Sequence, residues 1–193
     1  VLVQTLKYLQ WQGLAETGKR WLLKSPLYSG LEPLLLDAFP DACLLMTHRT
    51  PMDTIPSGLR LLECFYKPFT DRQADPDGYV EGVKMATDAH MEWRATQPNA
   101  RFLDVPFSQL VGPPEQTLKS IYAYADEPLS DASLKRMSDW ASGAIGNPQK
   151  KYGKHQYSLE QFGLTQERIA ADFSSYIAFI DELEKSRADL QVR

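Results

Sequence analysis

Four polar residues of this chain follow apolar segments and carry side chains that suit an anion. Lys24 and Ser25 come after one short apolar run, and His48 and Arg49 come after the next. Ammonium and guanidinium groups neutralise phosphate or sulfate, and a guanidinium can do so through two parallel hydrogen bonds. The expected ligand is therefore a small molecule that carries a phosphate or sulfate group.

The segment RTPMDTIPS, from Arg49 to Ser57, gives the strongest signal. Pro51 suits the first turn of a helix, so Arg49 is expected where a strand meets a helix N-terminus, a place of positive potential. The turn would bring Ser57 to the same phosphate. On the residues alone, an ion pair between Arg49 and Asp53, with Ser57 inside the helix, is an equally good interpretation.

Lys24 and His48 are candidates for catalysis. Lys24 precedes Pro26 at a predicted strand end, where an ammonium group can neutralise charge on a bridging oxygen during group transfer. His48 is a candidate general base or orienting residue, because imidazole exchanges protons near neutral pH. A solvated lysine and a hydrogen-bonded structural histidine are the more common roles of such residues.

Weaker signals come from an aromatic residue and a basic loop. Phe107 follows a predicted strand and can offer its ring to a base, although a core position is more usual for phenylalanine. Lys150 and Lys151 begin the basic string KKYGKH, which is a candidate to close over an anion. Most charged loops, however, are simply solvated.

A parallel sheet flanked by helices would bring these residues together, since ligands of such sheets bind beyond the carboxyl ends of the strands. Short apolar runs predict strands at Trp21–Leu23, Ala42–Thr47 and Arg101–Val105. Apolar periodicity predicts helices at residues 2–14, 29–38, 52–66, 79–96, 114–125 and 165–187. The remaining long segments, residues 67–77 and 126–158, are predicted to be loops.

The expected fold class is α/β, a three-layer α/β/α arrangement with a central parallel sheet. The 193 residues are 43% hydrophobic and are expected to form a single domain over residues 1–193. The chain opens within a helical pattern and without methionine, so an N-terminal part is expected to be missing.

Composition argues against several classes of protein. A net charge of −4 disfavours a broad nucleic-acid-binding face. No apolar run reaches the roughly 20 residues of a membrane span, and no signal peptide is visible, so a cytoplasmic location is expected. Cys43 and Cys64 lack metal-ligand spacing and are expected to be buried thiols. No metal is expected.

The order and spacing of these segments resemble the sulfotransferase family that uses 3′-phosphoadenosine-5′-phosphosulfate (PAPS), in particular its broad bacterial branch. The matching segments are WLLKSP (21–26), FPDA (39–42), HRTP (48–51) followed by Ser57, VPFSQLVGPP (105–114) and HQYSLEQFGL (155–164). The resemblance covers nearly the whole chain and implies a P-loop-NTPase-like fold. It implies sulfuryl transfer from PAPS to a hydroxyl or amine of a small-molecule acceptor.

The resemblance also implies which residues bind the cofactor. Arg49 and Ser57 would hold its 3′-phosphate, and Lys150 or Lys151 would lie in a basic loop over that phosphate. Phe107 stands where many relatives have a tyrosine that contacts adenine, so the hydroxyl contact would be absent here.

For catalysis, the resemblance implies that Lys24, with Ser25 beside it, contacts the transferring group. Tyr28 stands where many bacterial relatives have a histidine, and a neutral phenol is a weaker base than imidazole. The general base is therefore open between His48, Tyr28 and a group outside this chain.

Two further departures leave alternatives open. The family's N-terminal loop, which cradles the 5′-phosphosulfate, has no counterpart here, and Ser108-Gln109 replaces the usual acidic pair. A non-catalytic relative that binds the nucleotide is one alternative. A nucleotide or nucleoside kinase-like enzyme is the other; it would need Mg²⁺ and an acidic ligand, and no convincing acid stands at the strand ends.

Overall fold

The computed structural model describes residues 1–13, 19–97, 102–111, 113–145 and 157–191, with side chains of the last helix described to residue 186. Single 3-10 turns lie at Pro26–Tyr28 and Glu160–Phe162. The strands of the described ranges are β1 (Leu44–His48) and β2 (Phe102–Pro106). The helices are α1 (Leu2–Trp11), α2 (Glu32–Ala38), α3 (Pro51–Tyr66), α4 (Pro76–Thr96), α5 (Ser108–Val111), α6 (Glu115–Tyr124), α7 (Asp131–Ser142), α8 (Gln166–Asp172) and α9 (Ser174–Gln191).

Strands β1 and β2 pair in parallel, with Leu44 opposite Phe102 and His48 opposite Pro106. Helices α3 and α4 connect them, as parallel strands require a crossover that returns the chain to the same end of the sheet. The predicted α/β class with a parallel sheet is therefore confirmed. Both strands lie within about two residues of their predicted bounds.

The predicted strand at Trp21–Leu23 is wrong, because these residues form an irregular segment outside the β1–β2 pair. The Leu22 side chain is 93% exposed. An apolar run predicts burial, whereas a strand also needs a neighbour with free hydrogen-bonding groups, and a single run does not reveal that neighbour. Arg20, just ahead of this segment, bonds to the Ala125 carbonyl oxygen and lies 3.3 Å from a Glu127 carboxylate oxygen.

Two other predictions need correction towards the C-terminus. The predicted loop 126–158 contains α7, whose start is capped by the Ser130 hydroxyl and whose end is Gly143 with φ of +83°. A serine cap and a left-handed glycine are readable helix signals, so this helix was predictable. The predicted final helix is interrupted at Phe173, which ends α8 and inserts its side chain into the core.

The main core lies between α3, α4 and the segment that leads into α9. Its buried side chains are Ile55, Leu59, Val80, Leu159, Leu164, Ile169 and Phe173. Helix α3 begins with Thr50 as N-cap, whose hydroxyl accepts the Met52 N–H at 3.4 Å, and with Pro51 in its first turn. Burial of Ile55 and Leu59 fixes this helix, and with it the segment that joins it to β1.

Gly58 allows α3 to approach α4 closely, and we expect Gly58→Ala to destabilise the protein. A β-carbon at this position would lie 1.8 Å from the Tyr79 hydroxyl oxygen. Overpacking typically costs about 1–3 kcal/mol, which exceeds the roughly 1 kcal/mol that alanine gains over glycine in a helix. Urea unfolding measures the difference.

Gly82 of α4 provides the matched control, since nothing lies within 4 Å of its added β-carbon. Gly82→Ala is expected to raise the free energy of unfolding by about 0.5–1 kcal/mol. Equal stabilisation by both substitutions would contradict the close packing at Gly58.

Candidate functional site

The carboxyl ends of β1 and β2 lie side by side and bring Arg49 to Phe107. The His48 carbonyl oxygen accepts a hydrogen bond from the Phe107 N–H at 2.8 Å, directly after the paired residues His48 and Pro106. The Arg49 guanidinium carbon lies 4.5 Å from the centre of the Phe107 ring. A cation and an aromatic face thus stand together at the edge of the sheet where the sequence predicts a ligand.

Arg49 also contacts the first turn of α3. Its Nε lies 3.1 Å from an Asp53 carboxylate oxygen, and the two side chains are 41% and 52% exposed. The sequence analysis gave this ion pair as the alternative to anion binding by Arg49. Exposed pairs of this kind contribute at most about 1 kcal/mol to stability. Ser57 is exposed, four residues beyond Asp53 and hence on the same helix face. Ser57 therefore lies on the face of α3 that also carries the Arg49–Asp53 pair.

Lys24 and Ser25 lie in the irregular segment ahead of the first 3-10 turn. Lys24 is exposed, and the Ser25 hydroxyl accepts the Leu27 N–H at 3.1 Å and so caps this turn. The capping bond fixes the point at which the segment bends. Lys24 therefore precedes a defined turn, although it does not end a strand.

Tyr28, at the end of the same turn, lines an apolar cleft of about 300 Å³ between α1 and α2. The other residues that line the cleft are apolar: Val1, Leu2, Val3, Leu31, Leu34, Leu35, Ala38 and Phe39. A phenol at the wall of an apolar cleft can contact a polar group of a largely apolar ligand.

His48 is buried, with 1% of its surface exposed, and both of its ring nitrogens have partners. Nε2 lies 2.8 Å from Asp104 Oδ1, and Nδ1 lies 3.0 Å from the Tyr176 hydroxyl of α9. Arg94 of α4 adds a forked contact, because its two terminal nitrogens each bond to one oxygen of Asp104. The sequence predicted that His48 is either a general base or an orienting residue. Because both ring nitrogens are engaged, the geometry favours the orienting role.

The protonation states of this cluster follow from its contacts. Burial opposes ionisation of Asp104, but hydrogen bonds from His48 and Arg94 outweigh it and hold the Asp104 pKa below its ordinary value. Burial and then the Asp104 charge raise the pKa of Tyr176 to about 12. Tyr176 is therefore a neutral phenol near pH 7, and the ionised Asp104 can only accept a hydrogen bond from His48 Nε2.

A second buried pair joins α2 to α4. His90 Nδ1 lies 2.8 Å from Glu32 Oε1, and the two residues are 0% and 4% exposed. Burial opposes ionisation of Glu32, yet hydrogen bonds from His90 and from backbone N–H groups hold its pKa below the ordinary value. This pair fixes the start of α2, and hence one wall of the cleft.

Sequence reasoning missed Arg94, Asp104 and Tyr176. Asp104 carries a readable signal, since a carboxylate within the apolar strand FLDVP must find partners if it is buried. Arg94 and Tyr176 lie on helices far along the chain from His48, and nothing in their local sequence identifies that contact.

Two of the predicted site residues, Lys150 and Lys151, lie outside the residues that the structure describes.

The predictions about metals, membrane spans and cysteines concern the described residues. Among the residues that the structure describes, no group of three or more His, Cys, Asp or Glu side chains could hold a metal ion, and no helix could span a membrane. Cys43 and Cys64 are free thiols, but they are partly buried and exposed, respectively, rather than buried.

Comparisons with known proteins agree with this architecture. The family model described as "Sulfotransferase family" matches residues 2–131. The chain is 25% identical over 153 residues to the omega-hydroxy-beta-dihydromenaquinone-9 sulfotransferase Stf3 of Mycobacterium bovis, a match that covers 77% of this chain and 39% of that protein.

Solved structures of two sulfotransferases are similar to the chain. STF9 from Mycobacterium avium matches with a TM-score of 0.67 and 26% identity over 82% of this chain and 41% of that one. STF1 from Mycobacterium tuberculosis matches with a TM-score of 0.61 and 24% identity over 81% of this chain and 40% of that one. This second likeness supports the fold alone. The chain spans about two fifths of the length of these relatives. The sheet, the family match over most of the sequence and the structural likeness lead to one conclusion: this chain belongs to the sulfotransferase family.

Proposed function

We propose that this chain belongs to an enzyme that moves a sulfuryl group from PAPS to a hydroxyl or amine of a small-molecule acceptor. The observation that carries the proposal is the exposed Arg49 guanidinium, stacked 4.5 Å from Phe107 where both strands end. This pairing combines the two contacts that an adenine nucleotide with an extra phosphate needs, a cation for the phosphate and an aromatic ring for the base.

In this proposal Arg49 and Ser57 bind the 3′-phosphate and Phe107 contacts adenine. Arg49 offers a fork of N–H donors, and its pairing with the exposed Asp53 is weak enough for a phosphate to replace it. Ser57 adds a neutral donor from the same helix face. Lys150 and Lys151 would supply further positive charge.

Lys24, with Ser25 beside it, is proposed to stabilise the charge that develops on the bridging oxygen as the sulfuryl group leaves. PAPS, when bound, supplies that group. The transition state of such a transfer is expected to be loose, so positioning and charge neutralisation provide most of the rate enhancement. Tyr28 or a group outside this chain is left as the base, because the nitrogens of His48 are both engaged.

An apolar acceptor that carries a hydroxyl group fits the cleft beside Tyr28. Eight of the nine lining residues are apolar, which suits a hydrocarbon and disfavours a charged molecule. The name of the Stf3 relative specifies a hydroxylated menaquinone derivative as acceptor. We therefore propose a lipophilic alcohol as the acceptor class.

Titration calorimetry with adenosine-3′,5′-bisphosphate (PAP) and adenosine-5′-monophosphate (AMP) tests the nucleotide site. We expect PAP to bind more tightly than AMP, and Arg49→Ala to weaken PAP binding by about 10- to 100-fold, the loss of one or two charge-assisted hydrogen bonds. AMP binding should change little, because AMP has no 3′-phosphate.

Arg60→Ala is the matched control, since Arg60 is also exposed on α3 and pairs with Glu63 at 2.7 Å. Loss of PAP binding in both variants, or in neither, would contradict the proposed role of Arg49. PAP binding that depends on Arg49, without turnover of PAPS by the longest reading frame that contains this chain, would support the non-catalytic alternative.

A further inference from the structure

The cluster of Arg94, Asp104, His48 and Tyr176, here named the strand-end clamp, adjoins Arg49 and Phe107 through His48 at the end of β1. His48 and Arg49 are neighbours at the end of β1, but His48 is 1% exposed whereas the Arg49 side chain is 41% exposed. The orientation of the buried imidazole therefore helps to set the direction in which the next residue leaves the strand.

The clamp joins three elements to the end of β1. Asp104 belongs to β2, Arg94 to α4 and Tyr176 to α9, and the His48 ring contacts two of them through hydrogen bonds of 2.8 and 3.0 Å. The Arg94 guanidinium also lies 5.0 and 4.9 Å from the ring centres of Phe102 and Phe179. These contacts hold His48 on both edges of its ring, so β1 cannot shift against β2 without breaking a buried hydrogen bond.

The same residue holds Phe107 through its backbone. In this parallel ladder the His48 carbonyl oxygen accepts the hydrogen bond of the residue that follows its partner Pro106, the Phe107 N–H at 2.8 Å. His48 is thus fixed by its side chain, bonded to Phe107 through its carbonyl group and joined covalently to Arg49. His48 therefore contributes to the distance between the cation and the aromatic ring, together with Asp53, which contacts the Arg49 side chain.

We propose that the strand-end clamp positions Arg49 and Phe107 for the 3′-phosphate and base of the nucleotide, so that His48, Asp104 and Tyr176 are positioning residues that never touch the ligand. This inference rests on the proposed function, because it concerns the same nucleotide. It assigns part of the nucleotide selectivity to side chains that do not themselves contact the ligand.

Tyr176→Phe tests the inference with the smallest change, removal of the hydroxyl that holds His48 Nδ1. We expect PAP affinity to fall by about fivefold to tenfold, at most the value of one hydrogen bond, and AMP affinity, which depends on Phe107 but not on Arg49, to fall less, so that the preference for PAP over AMP decreases. Asp104→Asn, which weakens the contacts of both His48 and Arg94, is expected to lower PAP affinity by more than about tenfold. Calorimetry at a temperature where circular dichroism shows each variant folded gives both values.

Thr87→Val is the matched control, because it also removes one buried hydroxyl, bonded at 2.8 Å to the Val83 carbonyl oxygen away from the clamp. It should leave the preference for PAP over AMP unchanged, however much stability it costs. An unchanged preference in Tyr176→Phe and Asp104→Asn would overturn the clamp while leaving the nucleotide site intact. A wild-type chain without any preference for PAP would overturn the proposed function and, with it, the clamp's role.

Discussion

Replacement of Lys24 by alanine is expected to lower kcat for sulfuryl transfer by about 100- to 1,000-fold, the range typical of removing one charge-stabilising donor from an active site. Affinity for PAP should change by less than about tenfold, because in the proposed mechanism Lys24 acts on charge that develops in the transition state. Initial rates of label transfer from sulfur-labelled PAPS to geranylgeraniol, a long-chain alcohol suited to the apolar cleft, measure the effect in the longest reading frame that contains this chain.

Lys24 is exposed, so its removal should leave the fold intact and the effect can be assigned to catalysis. Lys67→Ala, which removes another exposed lysine at the end of α3, is the matched control and should retain full activity. Lys24→Arg keeps the charge with a different geometry and should retain part of the rate. Turnover of the Lys24→Ala variant within about threefold of the original would contradict the role assigned to this residue.

Replacement of Asp104 by alanine is expected to reduce the free energy of unfolding by about 3–5 kcal/mol, the usual cost of removing one partner from a buried ion pair. The change leaves the Arg94 guanidinium without the forked contact and His48 without the acceptor of its Nε2 proton. Urea unfolding at pH 7 measures the loss. Asp88→Ala, which breaks an exposed pair with Lys84 on α4, should cost less than about 1 kcal/mol.

The pH dependence of the unfolding free energy tests whether the Asp104 carboxylate stabilises the fold through its charge. The Asp104 and Glu32 pKa values lie below their ordinary values of 3.8 and 4.5, so both carboxylates contribute stability that is fully present above those values. That contribution is lost as the pH falls through the lowered folded pKa values. Asp104→Asn should therefore flatten the decline below about pH 4. An unaltered acid profile would show that Asp104 is not stabilised in the way its contacts indicate.

Apolar periodicity and the polar residues at strand ends predicted much of the fold. Short apolar runs that end in polar residues at one edge of a sheet predicted the parallel pairing of β1 and β2 and the approach of Arg49 to Phe107. Pro51 marked the start of α3. Each of these features can be read from a short stretch of sequence, because parallel strands place their carboxyl ends at the same edge of the sheet.

The clamp and the segment 21–23 show where such reasoning fails. Contact between His48 and Tyr176 joins residues 128 positions apart, and no local pattern encodes it. The apolar character of residues 21–23 predicted a strand, but pairing depends on a neighbouring chain edge rather than on the run itself. Asp104 could have been identified, because a carboxylate in an apolar strand demands a buried counter-charge.

The ion pair between Arg49 and Asp53 makes Asp53 a built-in competitor for any anion that approaches the site. Because Asp53 is attached four residues away, its carboxylate is present at a high effective concentration that dilution cannot lower. Chloride and other monovalent ions, which form a single weak contact, gain less by replacing it than a ligand that makes several contacts. In the proposed site a nucleotide phosphate would also gain Ser57 and the Phe107 ring, so the counter-ion is expected to favour ligands that make several contacts at once.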